Sequence, residues 1–342
     1  MGSDVGVVNQ SERQVGLALD GVLVLDKPPG WTSHDVVAKA RALLRVRKVG
    51  HTGTLDPSAT GVLLLCIGKA TRIAEYLMNT DKAYRAVLRL GVSTDTQDAT
   101  GSVVGRNVGP LPDEATIRTV MSRFVGIHRQ VPPMYSAVKV KGVPLYKSAR
   151  AGQTVTRTSR ECKVRGLEIL SITPAQLSEA AGSGTTSSST LDVAFDVVCS
   201  KGTYIRTLCA DMGDALGVGG HLAHLERRQV GRFRIEEALS LDELAELVER
   251  EAVGTRLYSL AAALADLPAL TLDDDAAEEV LHGIPVPTAR VVRVEGRWVR
   301  GAPLRLHAQG GRLLAIGRAP CGAEEFEQVA PGTVVRVEKV LA

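Results

Sequence analysis

The chain has 342 residues, 44% hydrophobic, 23% charged and only 4% aromatic, with a formal net charge of +3 at pH 7. That length suits two domains at about 150 residues each, and the composition is rich enough in apolar residues to bury a core. The scarcity of aromatics argues against a binder of single-stranded nucleic acid built on many stacking platforms. No apolar run approaches the roughly 18 residues of a membrane helix. Five cysteines (Cys66, Cys162, Cys199, Cys209, Cys321) are odd in number, scattered and never spaced C-x-x-C. Neither a disulfide framework nor structural zinc is expected, and a reducing, cytoplasmic setting is.

Residues 1–19 are polar and mixed and are expected to form a disordered leader. "GVLVLDKPPGWTSHD" reads as a strand over 21–26, a Pro-Pro-Gly turn, and a helix start with Thr32 as N-cap and Asp35 three residues on. Val36, Val37, Ala40, Leu43 and Leu44 give that helix one apolar face. "RALLRVRKVGH" then sets Arg41, Arg45, Arg47 and Lys48 in a basic stripe. "GHTGTLDPSATGVLLLCIGKAT" passes from a glycine-framed polar loop, with Asp56 as its single carboxylate, into an apolar strand, and Ile73 and Leu77 mark a short helix beyond. "YRAVLRLG" (84–91) alternates as a half-buried strand with Tyr84, Ala86, Leu88 and Leu90 on one face.

Ile117, Val120, Met121 and Phe124 mark a further helix, and the proline-interrupted stretch 130–146 reads as a hairpin or an ordered loop. The Ser/Gly-rich stretch 179–190 reads as a flexible surface insertion. "LDVAFDVVC" is a strand, and "SKGTYIRTLCADMGDALG" turns helical with Ile205, Leu208, Met212 and Leu216 inward. From about 270 one short acidic helix and several brief strands point to a small β-rich domain, joined near 250–270.

"GKAT" after an apolar strand invites comparison with a phosphate loop, but G-x-x-x-x-G-K-[ST] is not met. The preceding glycine is Gly61, and Ala70 stands where magnesium needs a hydroxyl. His221 and His224 in "HLAH" lack an obvious third metal ligand, so a surface or RNA-facing role is expected for them. Asp56 followed by Pro57 is by itself an ordinary turn, its carboxylate capping a nearby amide. Three neighbours shift that reading towards chemistry: glycines at 50, 53 and 61 that let backbone approach a ligand, the basic stripe, and "CSKGTYIRTL" with Lys201, Tyr204 and Arg206.

"LVLDKPPGWTSHD", "GHTGTLDPSATGVLLL", "KAYRAVLRLG", "VPPMYSAVKVKG" and "CSKGTYIRTL", in this order and spacing, resemble the TruB family of bacterial tRNA pseudouridine synthases over about residues 20–235. The resemblance implies an α/β (α+β) pseudouridine synthase fold over 20–250, with a mixed, mostly antiparallel sheet. A PUA-like RNA-binding domain at 270–342 follows by position, size and β-rich pattern. The implied activity is isomerisation of uridine-55 in the T arm of tRNA, by a cytoplasmic monomer with no membrane contact and no obligate protein partner.

Such an enzyme breaks the bond from ribose C1′ to uracil N1, turns the base over and joins C1′ to C5. No electrons are exchanged and no water is consumed, so no redox cofactor is needed and no metal is required. One carboxylate serves this chemistry, either attacking C1′ as in retaining glycosidases or taking the C2′ proton to give a glycal. By resemblance Asp56 is that carboxylate, and Arg206 pairs with it and favours its ionised form. Tyr84 stacks on the uracil and assists loss of the C5 proton. His51 holds the T loop open for the flipped nucleotide, Leu225, read as a helix residue, lines the base pocket, and Tyr204 is a further pocket tyrosine. Gly53 and Lys201 are added as backbone and phosphate contacts. The rival readings are a tRNA chaperone with little catalysis and, built on "GKAT", a phosphohydrolase.

Overall fold

A computed structural model describes residues 19–136, 138–140, 142–153, 155–175, 190–328, 330 and 332–342. The expected leader up to residue 18, and all of the expected insertion except Thr190, lie outside them. Strand β1 (Gly21–Lys27) leads into helix α1 (Ser33–Leu44), then β2 (Val49–Thr52), β3 (Thr60–Ile67), α2 (Ala74–Met78) and β4 (Lys82–Leu90). A hairpin of β5 (Val92–Thr94) and β6 (Val103–Arg106) precedes α3 (Glu114–Ser122) and β7 (Gly126–Gln130). The proline-rich stretch forms the small hairpin β8 (Lys139–Val140) and β9 (Val143–Pro144), followed by α4 (Leu145–Arg150). Then come β10 (Arg160–Pro174), β11 (Leu191–Cys199), α5 (Ile205–Ala215), β12 (Gly220–Val230), β13 (Phe233–Arg234), α6 (Leu241–Glu249) and α7 (Leu260–Ala263).

Among the described residues these strands build a nine-stranded sheet in the order β1-β3-β12-β4-β11-β10-β7, with β2 on β3 and β13 on β12. Every pair in it is antiparallel except β3 with β12. The sheet is thus mixed and mostly antiparallel. Strands β1 and β3 are buried on both faces, which is why they read as unbroken apolar runs. Leu23, Leu25, Leu63 and Leu65 pack with Val36, Val37 and Ala40 of α1 and Leu244 of α6. Val22, Val24, Val62 and Leu64 pack on the other side with Tyr76, Leu77 and Phe233. Further along the sheet, Ala86, Leu88, Phe195 and Val197 meet Ile117 and Met121 of α3 and Ile205, Leu208 and Met212 of α5.

Two long strands have no clean alternation. In β10 the register shifts between Val164 and Gly166 and between Ile169 and Ser171, and in β12 between Leu222 and His224 and between Arg227 and Gln229. Each shift moves the following side chains to the opposite face, erasing a period of two. Leu225, expected on a helix, therefore lies in β12, opposite Ala86 of β4. His221, expected at the surface, is buried with Nδ1 2.7 Å from the Val92 carbonyl.

The C-terminal sheet comprises β14 (Ala269–Leu272), β15 (Val286–Pro287), β16 (Val291–Glu295), β17 (Pro303–Ala308), β18 (Leu313–Arg318) and β19 (Val334–Val340), ordered β15-β19-β18-β17-β14-β16. The acidic helix α8 (Asp274–Leu281) is capped by Asp273 and buries Ala276, Ala277 and Val280. Ile316 and Leu341 pack into the same apolar cluster as Val22, Leu64 and Tyr76. The Tyr76 hydroxyl donates to Glu338 at 3.0 Å, and Lys339 pairs with Glu75, so α2 is the seat on which the small domain rests.

Candidate active site

The loop between β2 and β3 is clamped on both sides of Asp56. Ser33 Oγ, at the start of α1, accepts from the Leu55 amide at 3.0 Å and donates to the Leu55 carbonyl at 3.3 Å. The Pro57 carbonyl accepts from Lys27 Nζ at 3.1 Å and from the Gly30 amide at 2.8 Å. Lys27 is fully buried, and its ammonium also donates to the Pro28 and Trp31 carbonyls at 2.9 and 2.7 Å. The capping box of α1, in which Thr32 and Asp35 bond reciprocally, fixes the helix end that carries Ser33. Gly53 (φ +78°) and Gly61 (φ +97°) supply the left-handed turns at the loop's ends.

Arg206 reaches this loop from the first turn of α5. Its Nε lies 3.0 Å from Asp56 Oδ2 and its Nη2 3.4 Å from Oδ1. The same guanidinium donates to the Tyr135 carbonyl at 2.7 Å, to the Thr96 carbonyl at 3.4 Å and to Asp98 at 3.4 Å. Asp98 is itself held by the Thr96 hydroxyl at 2.8 Å and by the amide and hydroxyl of Thr100 at 3.0 and 2.6 Å. Although Arg206 stands off the apolar stripe of its helix, it is only 5% exposed. A buried guanidinium between two carboxylates is pinned in one rotamer, and it pins Asp56 in turn.

The Asp56 carboxyl is 39% accessible because it faces an open pocket, while protein atoms crowd it on the other sides. Burial pushes its proton affinity above the ordinary carboxylate value, Arg206 opposes this, Asp98 adds to it, and Lys27 lowers it. Arg206 acts in the expected direction, but burial is the larger effect. Asp98, Arg206, Leu222, His224 and Leu225 line the same pocket, with Ser58 and Ala59 at the loop side. Leu225 is thus a wall of this pocket.

Tyr84 lies on the apolar face of β4 and packs with Ala86 and Leu225 in one cluster. It stands directly opposite Arg227 of β12 in the antiparallel pair, near enough to Asp56 for the carboxylate to raise the phenol. Burial is the larger cause of that upward shift, and Arg227 opposes it. His51 on β2 is half-buried, with its ring edge-on to His34 at 5.4 Å and, among the described residues, no partner for Nδ1. Burial, with His34 and Arg227 nearby, lowers its pKa to about 4, so the ring is neutral at physiological pH. Tyr204 is the N-cap residue of α5, its amide and carbonyl tied to the Gln130 side chain at 3.0 and 3.3 Å. Lys201 is exposed in the turn before it, its Nζ on Asn79 Oδ1 at 2.7 Å, and it does not line the pocket.

Three charged residues beside the site had no distinguishing signal in sequence. Asp98 sits in "STDTQDAT", an ordinary polar turn; Lys27 reads as a residue before a proline turn; Arg227 in "HLERRQ" reads as a solvated charge. Only the folded chain shows that all three side chains are buried around Asp56 and Tyr84.

Comparison with known proteins bears on this arrangement. The family model for the TruB family pseudouridylate synthase N-terminal domain matches residues 41–205, that for the tRNA pseudouridylate synthase B C-terminal domain matches 206–271, and that for the PUA domain matches 268–341. The tRNA pseudouridine synthase B of Burkholderia pseudomallei (strain 668) is 44% identical over 308 residues, which is 89% of this chain and 95% of that protein. The chain belongs to the TruB family. TruB enzymes isomerise uridine in tRNA to pseudouridine, and the C-terminal sheet is their PUA domain. The TruB relative from Symbiobacterium thermophilum is 46% identical over 275 residues, 80% of this chain and 86% of its own length. Among solved structures, a chain of a Cbf5-Nop10-Gar1 complex superposes with a TM-score of 0.73 at 32% identity, covering 94% of this TruB chain and 85% of that one. A chain of an H/ACA RNP bound to a substrate RNA containing 2′-deoxyuridine gives a TM-score of 0.72 at 29% identity, with coverage of 94% and 85%.

Proposed function

We propose that this enzyme isomerises uridine-55 in the T arm of tRNA, with Asp56 as its essential group. The observation that carries the proposal is the pocket carboxylate of Asp56, forked to a buried arginine, Arg206, at 3.0 and 3.4 Å. Asp56 acts on the ribose, as nucleophile at C1′ or as base at C2′; either role needs an ionised, oriented carboxylate, which the fork orients and whose charge it favours against burial. Once the N-glycosidic bond breaks, the apolar wall of Leu222 and Leu225 lets the free uracil rotate without a competing hydrogen bond. Tyr84 then takes the C5 proton after C1′ to C5 bonding.

His51 and Tyr204 contact the flipped nucleotide and its neighbours, and Gly53 lets the backbone pass close to it. Flipping costs a few kcal/mol of stacking and pairing. The exposed Arg41, Arg47 and Lys48 offset it by contacting phosphates, as does the exposed Lys201. The tRNA is the sole partner of a monomeric enzyme. The cytoplasm, where tRNA resides, is its compartment, consistent with five free cysteines, all buried.

The test is tritium release from a tRNA transcript carrying 5-tritiated uridine, incubated without metal or nucleotide. Wild type should release one equivalent, mapped to position 55, and Asp56→Asn should release none while binding tRNA with near-normal affinity. Binding without release by the wild type would favour a chaperone, and release from a different uridine would overturn the assignment of the target.

A further inference from the structure

Arg227 is buried in the middle of β12, yet among the described residues no carboxylate pairs with it. Its Nε donates to the Val62 carbonyl at 2.7 Å and its Nη2 to the Gly53 carbonyl at 3.0 Å. These bonds tie β12 to β3 and to the Asp56 loop, but they leave a full positive charge uncompensated. Burying an unpaired ion is costly, and a guanidinium does not escape by losing its proton. The neighbouring bases give way instead. Burial, with Arg227 adding to it, holds Lys27 and Lys82 down to about 8 and His51 to about 4.

What the charge faces is the phenol of Tyr84. The two residues are opposed across the β4–β12 pair, so their side chains leave the sheet on the same face. The other titratable groups near the phenol are Cys199 on β11 and Asp56 on its loop, and both disfavour a phenolate.

We propose that Arg227 is a positioning residue for Tyr84, holding the phenol oxygen towards the base pocket and stabilising its anion for C5 deprotonation. The inference rests on the assignment of Tyr84 as the C5 base. In that step the phenolate takes the C5 proton, the C5–H electron pair becomes the C5–C6 double bond, and the C6–N1 double-bond pair moves to N1. There it binds a proton from solvent. The phenol then returns its proton to solvent before the next turnover. A charge placed opposite the phenol favours this form where burial alone would forbid it.

The experiment is single-turnover pseudouridine formation against pH, with protiated and 5-deuterated uridine, for wild type, Arg227→Gln, Arg227→Lys and Tyr84→Phe. Arg227→Gln should slow the reaction by about ten- to a hundredfold, raise the deuterium isotope effect and shift the alkaline rise in rate to higher pH, with tRNA affinity unchanged. Arg227→Lys, which keeps the charge, should keep the wild-type pH profile even if its rate falls. It also provides the decisive comparison if the Gln variant does not fold. A uniform slowing of Arg227→Gln at every pH with no change in isotope effect, or a shifted profile for Arg227→Lys, would overturn the inference while leaving Tyr84 in place. A Tyr84→Phe enzyme whose isotope effect does not rise would overturn the assignment of Tyr84, and the role of Arg227 with it.

Discussion

At Asp56 burial and the Arg206 guanidinium pull the carboxyl in opposite directions, and burial prevails, so its proton is held more tightly in the folded than in the unfolded chain. The sign of the linkage follows. Below the ordinary carboxylate value both states are protonated and nothing is lost; as pH rises through the folded value, ionisation weakens the fold. Asp56→Asn should therefore melt above wild type near pH 7, with the gap closing towards about pH 4, even though its activity is gone. An Asn variant that melts below wild type at neutral pH would show that the fork to Arg206 outweighs burial. This is the usual trade at an active site, where function holds a group in a form the fold disfavours. Asp56, Arg206 and Tyr84 could be named as candidates from the sequence because each lies in one of the motifs that resemble the TruB family. Asp98, Lys27 and Arg227 were not, because burial of a charge has no local pattern.

Among the elements, α1 was legible down to its cap, since a capping box is a contact between residues three apart. Strands β10 and β12 were not, because their register shifts break the period on which a strand is recognised. The parallel pairing of β3 with β12 brings Arg227 to the Asp56 loop, and Gly61 makes it possible. At φ +97°, a Cβ there would lie 2.3 Å from the Arg227 carbonyl oxygen. Gly61→Ala should cost about 2–4 kcal/mol in urea unfolding, and it should slow turnover by displacing Arg227. A loss below about 0.5 kcal/mol would show that the two strands separate freely at this point.

For the whole molecule, the PUA domain is packed against the catalytic domain rather than tethered to it. Ile316 and Leu341 share a cluster with Val22, Leu64 and Tyr76, and Glu338 accepts from the Tyr76 hydroxyl. Shared apolar burial couples stabilities more firmly than a flexible linker does. Calorimetry should show one endotherm. Ile316→Ala, which empties a fully buried site, should move that endotherm down as a unit by a loss of about 2–4 kcal/mol. Two endotherms, with only one displaced by the substitution, would mean that the domains unfold independently.

The sequence by itself determined what is carried by neighbours along the chain: the α/β order of the catalytic domain, the capped first helix, the β-rich C-terminal region, and Asp56 as the carboxylate of a TruB-like motif. Tertiary structure decided what depends on residues far apart. It set the net direction of the Asp56 shift, because burial depends on every element packed around the loop. It also joined Asp98, in the turn between β5 and β6, to Arg206 of α5, and placed Arg227, which has no carboxylate partner among the described residues, opposite Tyr84, because contacts between elements far apart in the chain leave no periodic signature.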